Sequence, residues 1–213
     1  MKISESQIRD IIVSVLQDMQ EGGGAPVKAD EPAPVNFQEL GQAQQGSDPR
    51  EVAIGLPAAF GVNSVKTIVD IPHATVLREV MAGIEEEGLT PRVVKVNNTA
   101  DVAFIGHEAA KLSGSGIGIG ILSRGTAVIH QKDLAPLENL ELFPQAPILT
   151  PEDFRSMGRN AAKYAKGESP SPVPVQNDPM ARPKFQGLAA LLHNKEVQYV
   201  QKGAPSTEVR PQL

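Results

Sequence analysis

Apolar residues at Ile8, Ile11, Ile12, Val15, Leu16 and Met19 recur at the i, i+3, i+4, i+7 spacing of one helical face. Residues 1–20 are therefore predicted to form an amphipathic helix. Ser4 and Gln7 stand at capping-box spacing, and Gly22-Gly23-Gly24 stops the helix. Residues 21–50 are rich in Gly, Pro, Ala and Gln and carry few large apolar groups. Such a segment buries too little to offset the entropy of ordering it, so it reads as a flexible linker. The helix is then detached from the main domain. A short isolated helix is marginal in water, so its stripe either folds back on that domain or docks on another protein.

The main domain, residues 51–213, alternates between periods. Residues 52–56 read as a short strand. Val76, Leu77, Val80, Met81 and Ile84 form one stripe of a helix over residues 74–87, which Gly88 can close in a left-handed cap. Residues 92–96 are β-branched and strand-like, and residues 102–105 are a further short apolar run. Residues 117–122 and 126–129 read as two strands around the tight turn Ser123-Arg124-Gly125. Another helix starts at Thr150, with Pro151 in its first turn and Glu152 and Asp153 at its positive end. Phe154, Met157, Ala161 and Tyr164 form its buried face, and Gly167 ends it. Five prolines in residues 166–184 impose an extended arm. Residues 185–192 and 197–200 read as a closing strand pair, and the last ten residues as loose. Strand–helix–strand alternation argues for an α/β fold: a single Rossmann-like three-layer domain with a mixed or parallel sheet.

Composition narrows the chemistry. The 213 residues include no Cys, which excludes disulfides, thiolate metal sites and a Cys nucleophile and fits a reducing cytoplasm. A net charge of −5 offers no basic footprint for nucleic acid. No apolar run approaches the roughly 18–20 residues that span a bilayer. The glycines of Ser113-Gly114-Ser115-Gly116-Ile117-Gly118-Ile119-Gly120 precede and interrupt a strand. They make neither a Walker loop nor a dinucleotide fingerprint. Alternate glycines strip one face of a strand, which permits close approach of another backbone or of a large cofactor. His73, His107, His130 and His193 show no metal-ligand spacing and read as structural. Glu85-Glu86-Glu87 point in different directions at a helix end and read as solvated. Arg155, Arg159, Lys163 and Lys166 likewise read as a solvated face. The chain has no self-sufficient catalytic set, which favours a subunit over a lone enzyme.

Longer runs carry a resemblance. They include Ile71-Pro72-His73 and Leu77-Arg78-Glu79-Val80-Met81-Ala82-Gly83-Ile84-Glu85-Glu86-Glu87-Gly88. Asp101-Val102-Ala103-Phe104, Leu112-Ser113-Gly114-Ser115-Gly116-Ile117, Gly125-Thr126 and Val128-Ile129-His130-Gln131 follow. Asn139-Leu140-Glu141-Leu142-Phe143-Pro144-Gln145-Ala146-Pro147, Asn160-Ala161-Ala162, Tyr164-Ala165-Lys166 and Met180-Ala181-Arg182-Pro183-Lys184 complete the set. Together they resemble the medium subunit of diol and glycerol dehydratases, over residues 51–200.

The resemblance implies a dimer of heterotrimers with a large and a small subunit, and base-on adenosylcobalamin between the large and medium chains. Homolysis of the cobalt–carbon bond would start the conversion of propane-1,2-diol, or glycerol, to propanal, or 3-hydroxypropanal, and water. The cofactor carries that chemistry and the protein orients it. The substrate, a monovalent or divalent metal ion and the catalytic residues would lie on the large subunit, leaving none here. Carried over residue by residue, the cofactor-facing set is Asp101, Arg124, Thr126, Leu137, Asn139, Pro144, Arg182 and Phe185. Asp101 and Asn139 suit the corrin amides, and Arg124 and Arg182 suit the nucleotide loop and its phosphate. Leu137, Pro144 and Phe185 give apolar contact. The chain departs from the family pattern in having Arg124 for Lys, Phe185 for Tyr and Ala189 for Ser. The first keeps charge but changes geometry, and the others lose hydroxyls. The rival reading is the small subunit of a dehydratase-reactivating factor, against which the glycine-paved strand and the Arg182 arm argue. A stand-alone nucleotide-binding domain lacks its phosphate motif.

The first helix resembles the tail that targets diol dehydratases to a protein-shelled microcompartment of the bacterial cytoplasm, through shell or cargo. Deleting residues 1–20 is expected to leave the subunit complex assembled but outside the microcompartment, as read by cell fractionation. Full entry of the truncated form would refute this role.

Overall fold

The computed structural model describes residues 31–143, 149–174 and 183–213. The expected helix of residues 1–20, Pro144 and Arg182 lie outside the described residues. Within them, seven strands form one mixed sheet: β1 (Asn36–Gln42), β2 (Glu51–Pro57), β3 (Thr90–Val96), β4 (Ile117–Ile121), β5 (Ala127–Gln131), β6 (Glu141–Phe143) and β7 (Thr207–Gln212). Their order is β1-β7-β3-β2-β4-β5-β6. The central β3, β2 and β4 are parallel, and the outer pairs on both sides are antiparallel. Four helices accompany the sheet: α1 (His73–Glu86), α2 (Val102–Leu112), α3 (Pro151–Ala165) and α4 (Pro183–Val197).

Side-chain alternation sorts the layers. On β2, Val52, Ile54 and Leu56 face α1 and α3, as do Ile117, Ile119 and Ile121 on β4. They meet Val76, Leu77, Val80 and Ile84 of α1 and Phe154, Met157 and Ala161 of α3 in the main core. Complete burial of each such Val, Leu, Ile, Phe or Met side chain stabilises by roughly 1.5–3 kcal/mol. The opposite face is covered by α2 through Ile105 and Ala109, against Ala53, Val94 and Val96. The three layers and mixed sheet are those expected from the sequence.

Glycines set the layer spacing. A Cβ on Gly118 or Gly120 would collide with the backbone of α2, and Gly106 of α2 is itself pressed against Val128 and Gly120. The open alternative is thereby decided: the bare face of β4 receives a helix backbone. This strand therefore no longer separates the dehydratase reading from the reactivating-factor reading. The crossing of α1 and α3 is as close, because a Cβ at Gly83 would strike the Arg155 carbonyl and one at Gly158 the Val80 carbonyl.

Several local readings are corrected by pairing that no sequence window displays. Strand β1 lies inside the stretch assigned to linker; it pairs with β7, matching Asn36 to Gln212. β7 occupies the terminus expected to be loose and is hydrogen-bonded on both sides, to β1 and β3. Arg92 secures this corner, donating to Glu51 (3.2 Å), Leu112 O (3.1 Å), Gln44 O (2.8 Å) and Glu208 (2.6 Å). The short apolar run at 102–105 is the first turn of α2, whose N-cap is Asp101. The expected strand pair at 185–200 is replaced by α4, where Ala189 and Glu196 are buried and Phe185, Leu188 and Leu192 partly so, at helical spacing. The short strand β6 was not anticipated at all.

Apart from Glu85, which is exposed, the charged residues read as solvated are ion-paired, mostly between α1 and α3 and their C-terminal caps. Arg155 bridges Glu79 (2.7 Å) and Glu86 (2.5 Å), Arg159 bridges Glu86 (3.1 Å) and Glu152 (2.5 Å), and Lys166 meets Glu87 (2.7 Å). The Thr150 cap is as expected and forms a full capping box with Asp153. Gly88 and Gly167 adopt the left-handed conformation their positions required, at φ 78° and 79°.

The Gly83→Ala substitution is expected to destabilise the fold by roughly 1–3 kcal/mol, since neither backbone can yield. Urea unfolding should show a lowered midpoint. Gly187→Ala, on α4 with nothing within 4 Å of a new Cβ, should leave it unchanged or raised.

Candidate functional site

The chain leaves β2, crosses through α1 to β3 on one side, then through α2 to β4 on the other. The two crossovers lie on opposite faces, so the carboxyl ends of β2 and β4 flank a topological switch point. In open α/β sheets, ligands bind outside such a point. The turn that follows β4 there is Ser123-Arg124-Gly125. Leu122 N donates to Thr126 O (2.8 Å), Gly125 N donates to Leu122 O (2.8 Å), and Gly125 has φ 101°, which glycine adopts without strain.

Two buried side chains hold this turn. His73, the first residue of α1, accepts from Gly61 N at Nδ1 (2.9 Å) and stacks on Phe60 with ring centroids 3.8 Å apart. Because an amide N–H can only donate, Nδ1 is bare and the ring proton sits on Nε2, which donates to Ser123 O (2.7 Å). Burial pushes the His73 pKa down to about 4, so the ring is neutral near pH 7. From the other side, Glu196 of α4 accepts from Ser123 N (2.8 Å) and is 2% exposed. Sequence reading missed Glu196; its only local signal was an acidic residue on the buried stripe of a helix read as strand.

Arg124 projects from this clamped turn. Its Nε donates to Thr126 Oγ1 (3.0 Å), while its Nη groups have no acceptor among the described residues. Burial depresses the guanidinium pKa, and the negative charges of Glu196 and Asp101 oppose that shift. A half-buried guanidinium with open donors is suited to a phosphate or carbonyl oxygen from outside the chain. Ser123 Oγ is also buried without a well-formed hydrogen bond. Lys95 closes the neighbouring edge: its Nζ donates to Pro57 O (3.3 Å) and Phe60 O and lies over the Phe37 ring, and burial lowers its pKa to about 7.

The expected site residues fall into separate groups. Arg124 and Thr126 touch, and Asp101 lies within electrostatic reach of Arg124. One Asp101 oxygen is committed to the cap, accepting from Ala103 N (2.9 Å) and Phe104 N (3.3 Å). Phe185 is half-buried on α4 beside the Ile68–Ala189 cluster at the same edge. Ala189 itself is packed inside. Leu137 and Asn139 are exposed on the β5–β6 connection. Because β6 pairs Phe143 with Ala127 and Glu141 with Ile129, that connection lies at the other end of the ladder from Thr126. From Thr126 to Gln131, where that connection starts, is about 17 Å for five residues at ~3.3 Å per residue. Only a ligand of corresponding size could touch both.

The result is an α/β domain with an incomplete polar site at its switch point and large apolar groups exposed on the β5–β6 connection and β6, among them Leu137 (73%) and Leu142 (59%). Over residues 56–171 the chain matches the dehydratase medium subunit family, and it belongs to that family. Solved structures similar to it include one described as glycerol dehydratase reactivase, at 20% identity, covering 59% of this chain and 95% of that one, with a TM-score of 0.46. Another is a diol dehydratase-reactivating factor complexed with ADP and Mg2+, at 26% identity, covering 60% and 97%, with a TM-score of 0.42. Superpositions this loose carry no argument about function.

His73 gives a pH prediction. Its folded pKa lies below the unfolded value of 6.5, so its contribution is complete above pH 6.5 and declines as pH falls toward about 4. The loss is about 3 kcal/mol at ~1.4 kcal/mol per unit. In His73→Gln, urea unfolding should show a shallower stability decline across that window.

Proposed function

We propose that this chain is the medium subunit of an adenosylcobalamin-dependent propanediol or glycerol dehydratase, holding the cofactor together with the large subunit. The observation that carries this is the open Arg124 guanidinium, fixed by a buried clamp at the switch point of a dehydratase medium subunit. The residues present fit the group. Arg124 has free donors for the nucleotide phosphate, and Asp101 keeps one oxygen without a partner among the described residues for a corrin amide. Exposed Leu137 and Asn139 offer apolar and amide contact some distance away, as a ligand the size of cobalamin requires. Arg182 and Pro144 complete the set by the family pattern.

When bound, the cofactor supplies the radical chemistry that turns a vicinal diol into an aldehyde and water. This chain's part is to orient. Arg124 and Thr126 fix one end of the ligand, and the clamp from His73 and Glu196 keeps their turn from shifting. The substrate, a metal ion and the catalytic groups belong to the large subunit in this reading. A small subunit completes a heterotrimer that pairs with a second, and residues 1–20 direct it to a microcompartment.

Affinity purification from source cells grown on propanediol should return a corrin spectrum with one larger and one smaller companion chain. A colourless chain with a chaperone-like partner would favour the reactivating factor instead. In the reconstituted complex, Arg124→Ala or Arg182→Ala should weaken adenosylcobalamin binding about ten- to a hundredfold, the range for losing a charge-assisted hydrogen bond. Assembly by gel filtration should be unchanged.

A further inference from the structure

Glu196 is a buried carboxylate whose one well-formed hydrogen bond among the described residues is from Ser123 N, at 2.8 Å to Oε1. Burying a carboxylate this deeply disfavours its charged form, and burial does push its pKa up. The groups facing it are few. Arg124 of the turn and His193 of its own helix favour the charge, and Lys95 at the end of β3 feels it. His73, on the far side of Ser123, is neutral near pH 7. Asp101 faces Arg124 from the start of α2. Ser123 Oγ lies close enough for its hydroxyl to favour the charged carboxylate, yet it makes no hydrogen bond of good geometry among the described residues, and its oxygen can accept once the carboxyl carries a proton.

We propose that Glu196 is a positioning residue for Arg124 and takes up a proton when an anion is held by that guanidinium. The inference rests on the reading of Arg124 as the holder of the cofactor's phosphate. With the site empty, the guanidinium partly offsets the Glu196 charge. A phosphate bound to the same guanidinium places a second negative charge beside the carboxylate and favours its neutral acid. The proton comes from solvent and binds the oxygen not engaged by Ser123 N. The acid then has an O–H to donate, and Ser123 Oγ is the buried acceptor beside it. Ser123 N keeps its acceptor in both states, so the turn stays in place while the charge changes.

The sign follows from linkage. The bound complex holds more protons on Glu196 than the free protein, so affinity falls as pH rises between the free and bound pKa values. One full proton corresponds to a tenfold loss per pH unit at most. The test uses the complex reconstituted with its large and small subunits. Calorimetry in buffers of different ionisation enthalpy, from about pH 5.5 to about pH 8.5, reads Kd and the protons exchanged. Two probes are compared: adenosylcobalamin, and adenosylcobinamide, which lacks the nucleotide phosphate. Proton uptake with the first and none with the second is expected. Glu196→Gln keeps an acceptor for Ser123 N but cannot titrate, so it should bind adenosylcobalamin with a flat pH profile and at least wild-type affinity at the alkaline end. Equal proton uptake for both probes, or an unchanged slope in Glu196→Gln, would overturn the proposal. Adenosylcobalamin binding without proton uptake would overturn it while leaving the cobalamin reading intact. Failure of adenosylcobalamin itself to bind would instead remove the reading on which it rests.

Discussion

The backbone of α2 lies directly against the bare face of β4, and much of the molecule depends on that contact. Gly118 and Gly120 present no side chains there, and Gly106 and the alanines of α2 answer them. A helix seated so closely cannot slide without steric collision, because packed interiors have little free volume. Its N-terminus is therefore held at the carboxyl edge of the sheet, with Asp101 capping it beside the turn that carries Arg124. On the other face, the Gly83–Gly158 crossing holds α1 against α3 in the same way. That crossing places His73, at the start of α1, under the Ser123 carbonyl.

Buried polar groups are costly unless satisfied, and one set of them gathers at one edge. His73, Lys95, Ser123, Thr126 and Glu196 are all nearly inaccessible, and all lie around the ends of β2, β3 and β4. Most are satisfied by backbone carbonyls and amides of the loops that close the edge. Among the described residues, Arg124 and Ser123 keep donors or an acceptor open. A fold selected for stability alone would gain by replacing such groups with apolar ones. Their presence at a switch point, in a dehydratase medium subunit, fits a surface completed by a ligand and by another chain. The exposed Leu137 and Leu142 fit the same need for a partner.

Elements whose signals are local were legible in the order of residues. The α1 stripe, the Thr150 cap with its acidic first turn, the left-handed glycines at 88 and 167 and the central β-branched strands all appear where expected, because each depends on neighbours within a few residues. The Ser123-Arg124-Gly125 turn was legible for the same reason, and the long motifs identified the family. The remaining features depend on contacts between distant segments. β1 and β7 pair across some 170 residues, and neither alternates strongly enough to show alone. α4 resembled a strand until burial at Ala189 and Glu196 displayed its helical spacing. Whether the glycines of β4 met a cofactor or a backbone depended on which element covered them. That Glu196 sits under Arg124's turn, while Leu137 and Asn139 stand at the other end of the ladder, is likewise a matter of non-local pairing. Local periodicity records which face of an element is buried, but not what lies against it.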